Sequence, residues 1–173
     1  IAFLMVILGH MSYIDSSGVW GVHIFLILSG YGIYCSYKKN GLSNYWIKKV
    51  INVWAPYMLF NTCFILVYFL CGGSFSINNI IVSIIGLDFG LNIDPTMWYI
   101  SYIFAWYGIF WITERIEGKV KKAIVFTILQ LIVTVLGLFS IAWNHGTIAW
   151  AYLFSFPLGL FLAITKSWRV KDR

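Results

Sequence analysis

The feature that most constrains this chain is a series of long stretches without Asp, Glu, Lys or Arg. A helix that crosses the hydrocarbon core of a bilayer needs about 20 mainly apolar residues, because its backbone groups must bond within the helix. Five stretches are close to that length: residues 19–37, 50–71, 96–113, 123–142 and 147–165. Residues 1–14 form a sixth, shorter one. The sequence therefore predicts an all-α fold, a polytopic integral membrane helix bundle with six spans.

The composition supports a membrane location. Of the 173 residues, 61% are apolar and only 10% are charged, whereas soluble domains carry about 25% charged residues. So few charges cannot cover a surface that faces water. Aromatic residues make up 20% of the chain, which also excludes a disordered protein. The partner that the composition predicts is the lipid bilayer.

The basic residues predict the orientation of the bundle. All twelve fall after the second, fourth or sixth span: Lys38, Lys39, Lys48 and Lys49; Arg115, Lys119, Lys121 and Lys122; Lys166, Arg169, Lys171 and Arg173. Lys and Arg in short loops are retained on the cytoplasmic side, so we expect both ends in the cytoplasm and three external loops. This orientation also explains the net charge of +6, so no nucleic-acid partner is expected.

One external connection, residues 72–95, is long. Its middle part, residues 77–87, is apolar but too short to cross a bilayer. It lies in the interface, re-enters the membrane, or covers the bundle as an apolar loop.

Proline and cysteine residues inside the apolar stretches allow two further predictions. Pro157 lies within the sixth span, where its missing N–H should kink the helix. Cys35, Cys63 and Cys71 are an odd number and indicate neither a disulfide framework nor a metal site. They are expected to pack between helices as small apolar residues.

Histidines are the candidate acid–base groups. His10 lies in the first span, about 6 Å of helix rise before Ile14. An ionisable residue at membrane depth usually faces the bundle interior or a water-filled cavity, and imidazole accepts a proton near neutral pH. His10 is the candidate catalytic residue; an interfacial histidine bonded to a backbone carbonyl is the alternative. His23, near the outer end of the second span, fits a chemical or a structural role, and His145 is expected to be an exposed turn residue.

The second span carries a stripe of mostly small residues at helical spacing. Its members are Gly21, Phe25, Ser29, Gly32 and Ser36. Small residues let helices approach closely in lipid, so the stripe predicts a helix contact. Ser29 lacks a Gly-x-Ser-x-Gly elbow, and packing is therefore favoured over a role as a nucleophile.

Five motifs in order along the chain resemble the membrane-bound acyltransferase 3 family. They are Ile7-Leu8-Gly9-His10, Gly21-Val22-His23-Ile24-Phe25-Leu26-Ile27-Leu28-Ser29-Gly30-Tyr31, Tyr45-Trp46-Ile47-Lys48-Lys49 leading to Pro56-Tyr57, Met97-Trp98-Tyr99-Ile100, and Phe156-Pro157-Leu158-Gly159-Leu160. The fourth is similar to the family's Trp-Phe/Tyr-Leu signature and the fifth to its Phe-x-x-Gly segment. Five motifs in register, with matching topology, make the resemblance fairly specific.

The resemblance implies a membrane O-acyltransferase. Members of the family move an acyl group, commonly acetyl, from cytosolic acyl-CoA to a hydroxyl of a cell-envelope polysaccharide or glycolipid. Acyl-CoA (acetyl-CoA) is then the donor substrate, and neither a bound cofactor nor a metal is expected. His10 takes the place of the catalytic histidine, as general base or as a transient acyl-histidine. Ser29, Lys48, Lys49 and Trp98 are the candidate substrate-binding residues.

The resemblance also implies a location and an incomplete chain. The location is a bacterial cytoplasmic membrane. The family has an arginine before the first-span histidine, which would fall upstream of Ile1, and more spans than these six. Residues 1–173 are therefore expected to form a single transmembrane acyltransferase-like domain that is incomplete at both ends.

Three residues depart from the family pattern. His23 stands where an acidic residue is common, and Lys49 and Asn52 stand where arginines are frequent. Lysine keeps the charge of arginine without its bidentate fork, and asparagine loses the charge. Two other functions stay open: a transporter or flippase component for a lipid-linked glycan, and an inactive truncated acyltransferase.

Overall fold

The computed structural model describes residues 17–86, 93, 98–144 and 152–171. Within these residues all regular structure is helical, which confirms the all-α prediction for this part of the chain. The α-helices are α1 Ser17–Asn40, α2 Tyr45–Lys49, α3 Ala55–Leu70, α4 Ile77–Ile85, α5 Trp98–Glu114, α6 Lys119–Asn144 and α7 Ser155–Lys171. A π-helical turn, Val50–Trp54, joins α2 to α3 without a break.

Two helices are long and apolar enough to cross a membrane. They are Gly18–Asn40 and the continuous helix Tyr45–Leu70, which is called the long helix below. Ser155–Lys166 is apolar but shorter. The predicted fourth and fifth spans correspond to α5, with 17 residues, and α6, with 26. The first predicted span lies outside the described residues, and the count of six spans and the sidedness remain predictions.

The chain divides into two compact units, and the first contains α1 and α7. Their closest approach is at two glycines: a Cβ added at Gly30 would fall on the carbonyl oxygen of Phe156, and one added at Gly159 on the carbonyl oxygen of Ile27. His23 contacts Ser155 near the start of both helices, and Lys166 lies by Tyr31 further along. The two helices therefore run parallel, as a second and a sixth alternating span would.

The helix contact follows only the first part of the stripe that the sequence predicted. Gly21 of the stripe is buried, as are Leu26, Gly30 and Ile33, whereas Gly32 and Ser36 are exposed, and no atom would meet a Cβ at Gly32. The predicted face was therefore wrong for the later part of α1, where Gly30 makes the contact. Gly30 makes this contact because a residue with a Cβ would clash with the backbone of α7.

Pro157 does not kink a continuous sixth span. A turn at residues 153–154 precedes α7, so Pro157 is the third residue of that helix. The first helical hydrogen bond runs from Leu158 N–H to the carbonyl of Phe154. In the first turn a proline removes no intrahelical hydrogen bond, and the expected kink is replaced by a helix start.

A second proline lies beside the π-helical turn of the long helix. Pro56 is the second residue of α3, and a proline inside a helix clashes with the carbonyl four residues earlier, here that of Asn52. Asn52 lies in the wider turn Val50–Trp54, and such a turn gives that carbonyl more room. The long helix therefore continues through Pro56, and Lys48 and Lys49 lie on it rather than in the loop before it.

The second unit contains the long helix and α4 to α6, and within it α4 lies along the long helix. Trp54 donates a hydrogen bond to the carbonyl of Ile85 (3.3 Å), and Asn61 donates to the Ser83 hydroxyl (2.8 Å). Trp54 is about 24 Å of helix from Leu70 at the end of the long helix. In a bilayer that the long helix crosses, α4 therefore re-enters the membrane. Of the possibilities for residues 77–87, the structure shows that Ile77–Ile85 is a helix bonded to the long helix, and its re-entry into the membrane stays a prediction.

Side chains satisfy the carbonyls at the buried end of α4. Those of Ser83, Ile85 and Gly86 accept hydrogen bonds from Tyr57, Trp54 and Ser101, respectively. Unpaired backbone groups are costly in hydrocarbon, and a helix that ends there needs such partners. Gly86 ends the helix with φ of 81°, a conformation that favours glycine.

Thiol labelling tests the re-entry of α4. In a variant whose native Cys35, Cys63 and Cys71 are replaced by alanine, we expect Ser76→Cys to react with a membrane-impermeant maleimide. Ile85→Cys should not react, because hydrocarbon excludes both the reagent and the thiolate. Labelling of detergent-solubilised protein is the control for intrinsic reactivity. Equal labelling of both positions in intact membranes would place α4 at the surface.

The burial of the cysteines differs from what the sequence predicted. Cys35, Cys63 and Cys71 are all exposed rather than packed between helices. Free cysteine is apolar enough to face lipid without a partner. Their positions on the outward faces of α1 and α3, and at the end of α3, explain the difference.

Candidate functional site

Two of the predicted site residues lie together on the long helix, and the others are placed elsewhere. Lys48 is exposed and Lys49 is half-buried. Ser29 is half-buried on α1, and Trp98 begins α5. His10, like His145, lies outside the described residues. The candidate functional site is therefore the surroundings of Lys49.

Lys49 lies between two tyrosines. Its Nζ is 4.3 Å from the centre of the Tyr107 ring and 5.7 Å from that of Tyr45. The Tyr45 hydroxyl donates a 2.8 Å hydrogen bond to the carbonyl of Tyr107, which ties the start of the long helix to α5. Tyr45 also stacks on Phe110 at 6.3 Å. Both tyrosines are thus held in place, and the ammonium group rests on their π faces.

Two tryptophans extend this arrangement towards the end of α5. Trp46 and Trp111 meet edge to face with ring centres 5.9 Å apart. The Arg115 guanidinium carbon is 3.7 Å from the centre of the Trp111 ring. We refer to Tyr45, Trp46, Lys49, Tyr107, Trp111 and Arg115 as the basic aromatic cluster. It contains two cations and four aromatic rings from the long helix, α5 and the turn that follows α5.

The cations of the cluster have no carboxylate partner in the described part of the chain. Glu114, the neighbour of Arg115, forms an ion pair of 2.5 Å with Lys122 instead. Lys49 is half-buried, and a charge removed from water is normally paired. A half-buried ammonium group without a counter-ion is suited to a ligand that supplies one. The cluster is therefore suited to an anion.

The rings indicate what else such an anion would carry. Guanidinium groups bind phosphates through a bidentate fork, and lysine binds them as a point charge. Trp46 and Trp111 are half-buried, so part of each indole surface remains exposed, and Arg115 covers one face of Trp111; exposed indole surface is suited to contact with a planar ring. An anion that combines phosphates with a heteroaromatic ring would use both features of the cluster.

Sequence reasoning missed most of the cluster. Arg115 was used only as a topology signal, although Trp111 precedes it by four residues, the spacing at which helical side chains meet. The contact of Trp111 with Trp46 has no local signal, because it joins residues far apart in the chain. Lys49 was predicted to bind substrate, but its tyrosine partners were not.

His23 belongs to the other unit. Its Nδ1 is 2.6 Å from the Ser155 hydroxyl oxygen, and its ring lies 4.6 Å from that of Tyr152 and 5.9 Å from that of Trp20. The residue that replaces the family's acidic group is thus bonded to a hydroxyl. Ser155 carried no signal in the sequence, since its partner is on another helix.

Comparison with known proteins identifies the family. The model of the family Acyl_transf_3, described as an acyltransferase domain, matches residues 1–172. Neither the curated proteins nor the solved structures gave a match. The family match covers nearly the whole chain, including both described units, and agrees with the motifs found in the sequence. The chain therefore belongs to the acyltransferase 3 family.

Proposed function

We propose that this protein is a membrane O-acyltransferase that moves an acyl group, acetyl in the simplest case, from cytosolic acyl-CoA to a hydroxyl of a cell-envelope polysaccharide or glycolipid. The family match supports acyl transfer in a membrane. The basic aromatic cluster is the observation that carries the choice of donor. We place the activity in the bacterial cytoplasmic membrane, where both substrates meet.

The chemistry of coenzyme A fits the cluster. It carries a diphosphate, a further phosphate and an adenine ring, and the cluster offers Lys49, Arg115 and the two tryptophans. Lys48 is exposed one residue before Lys49 and adds positive charge for the first encounter with an anion. The positive-inside rule places this end of the long helix in the cytosol, where acyl-CoA is found.

The transfer itself needs a base for the acceptor hydroxyl. We assign this role to His10: the acceptor oxygen attacks the thioester carbonyl, the C–S bond breaks, and the proton passes through the imidazole to the departing thiolate. The products are an ester and free coenzyme A. In the variant mechanism, the imidazole first accepts the acyl group and then passes it to the hydroxyl. Ser29 and Trp98 remain proposed substrate contacts.

Radiolabelled acetyl-CoA tests the proposed function. Membranes that contain the full-length protein should transfer label to an alkali-labile ester in the envelope glycan fraction, and membranes without it should not. Glycan movement without incorporation of label would instead support a transporter or flippase. The absence of both glycan movement and label incorporation would support an inactive truncated acyltransferase.

Lys49→Met tests the donor site. Hydrogen bonds to charged groups contribute about 1.5–3 kcal/mol, so we expect KM for acetyl-CoA to rise about 10- to 100-fold at 1.4 kcal/mol per factor of ten. The kcat should change little, because the lysine holds the donor and does not contact the reacting carbon. Initial rates over a range of acetyl-CoA concentrations measure both constants.

Lys38→Met is the matched control for this change. Lys38 also rests over a tyrosine ring, that of Tyr34 at 5.7 Å, but it is exposed and belongs to the other unit. We expect KM in this variant to equal that of the unaltered protein. An equal rise in both variants would show that general surface charge, rather than the cluster, attracts the donor.

A further inference from the structure

His23 and Ser155 have the geometry of a base and a nucleophile. The 2.6 Å separation of His23 Nδ1 and Ser155 Oγ is short enough for proton transfer, and the two residues come from different helices of one unit. A serine hydroxyl is a weak nucleophile unless a neighbouring base accepts its proton. We propose that Ser155 and His23 form a second acyl-transfer centre, at which an acyl group is held transiently as an ester of Ser155.

The surroundings of the imidazole support this role. The rings of Tyr152 and Trp20 pack against it, at 4.6 and 5.9 Å between ring centres, and both are tilted by nearly 50°. Such packing restricts the rotation of the histidine, as an orienting third residue does in other nucleophile–base pairs. His23 is thereby held with Nδ1 towards the serine.

Burial is compatible with an ester that lasts long enough to be transferred. Ser155 is 6% exposed, while its chain neighbour Phe154 and the nearby Trp20 are largely exposed. The pair therefore lies just beneath the surface of its unit, where water is restricted and hydrolysis of an ester is slowed.

The Ser155 ester forms in one step and is transferred in a second. The Ser155 oxygen attacks an acyl thioester carbonyl, its proton moves to His23 and then to the departing thiolate, and the C–S bond breaks. An acceptor hydroxyl, with His10 as its base as under the proposed function, then attacks the serine ester in place of the thioester; its proton passes through the His10 imidazole to the Ser155 oxygen as the ester bond to Ser155 breaks. The thioester donor is the one assigned under the proposed function, on which this inference rests.

A short alkyl fluorophosphonate tests the activated serine without any acyl donor. This reagent phosphonylates serines that have an adjacent base. With the full-length protein in membranes, we expect one labelled peptide that contains Ser155, identified by mass spectrometry. Ser155→Ala should lose this label, whereas Ser36→Ala, an exposed serine on α1, should keep it.

His23→Gln separates catalysis from packing. Glutamine can still bond to the Ser155 hydroxyl but cannot accept its proton, so the rate of labelling should fall about 10²-fold or more. Thermal unfolding of the solubilised variant shows whether the fold is retained. Absence of label on Ser155, or equal labelling of the glutamine variant, would overturn the proposal.

Acyl transfer by the same variants distinguishes this inference from the proposed function. Full transfer from acetyl-CoA by Ser155→Ala would overturn the serine ester and leave the O-acyltransferase function in place. Labelling of Ser155 in a protein that transfers no acyl group would leave the activated serine in place and contradict the proposed function. Loss of transfer in both Ser155→Ala and His23→Gln, with the fold retained, is the expected result.

Discussion

Replacement of His10 by alanine should lower acyl transfer by about 10²- to 10⁴-fold, the usual contribution of a positioned general base. The loss should appear in kcat, because an acceptor hydroxyl that keeps its proton attacks the thioester slowly at any substrate concentration. Transfer of label from acetyl-CoA to the envelope glycan is the measurement. A larger loss is expected if the imidazole carries the acyl group itself, since the first covalent step would then be absent.

Two comparisons make the His10 result specific. His145→Ala removes the histidine that the sequence assigns to an exposed turn, and this variant should retain full activity. His10→Gln keeps a polar side chain at the same position and should be as inactive as the alanine variant. Full activity of His10→Ala, with normal membrane insertion, would rule out both the base and the acyl-histidine role.

Replacement of Gly30 by alanine should destabilise the unit formed by α1 and α7. The added methyl group would fall on the carbonyl oxygen of Phe156 and lie 3.1 Å from the backbone nitrogen of Leu160. Backbone cannot rotate away as a side chain can, so the helices must separate. We expect a loss of about 1–3 kcal/mol or more, seen as a lower unfolding temperature of the solubilised protein.

Gly32→Ala is the matched control, two residues away on the same helix. No atom lies within 4 Å of a Cβ added there, and alanine is favoured over glycine in a helix by about 0.8–1 kcal/mol. This variant should be as stable as the unaltered protein or more stable. The two substitutions are chemically identical, so opposite effects would identify the helix contact, and equal effects would contradict it.

The helices of this protein follow from its sequence more directly than their contacts do. Charge-free stretches predicted α1 and α3 because hydrocarbon admits only helices with internally bonded backbones. The start of the long helix at Tyr45 was missed because lysines end a charge-free stretch without ending a helix. A small-residue stripe indicated that α1 contacts another helix, but the face depends on Gly159 of α7, far along the chain.

The candidate sites were predictable only in part, for the same reason. Lys49 was predicted to bind substrate because the resemblance implies an anionic donor and Lys49 stands where the family frequently has an arginine. The residues around it are specified by helix packing: Tyr107 and Trp111 on α5, and Arg115 in the turn after it. Ser155 became a candidate only when α7 was seen to place it against His23.

The end of α4 lies close to Lys49 along the long helix. Ile85 is bonded to Trp54, and Trp54 lies only five residues, about 7 Å of helix, beyond Lys49. Under the proposed function, an acceptor that follows α4 and a donor whose phosphates bind at the basic aromatic cluster would thus be separated by a small part of the roughly 30 Å hydrocarbon layer. In such an hourglass geometry neither substrate of the proposed reaction would have to cross the whole bilayer.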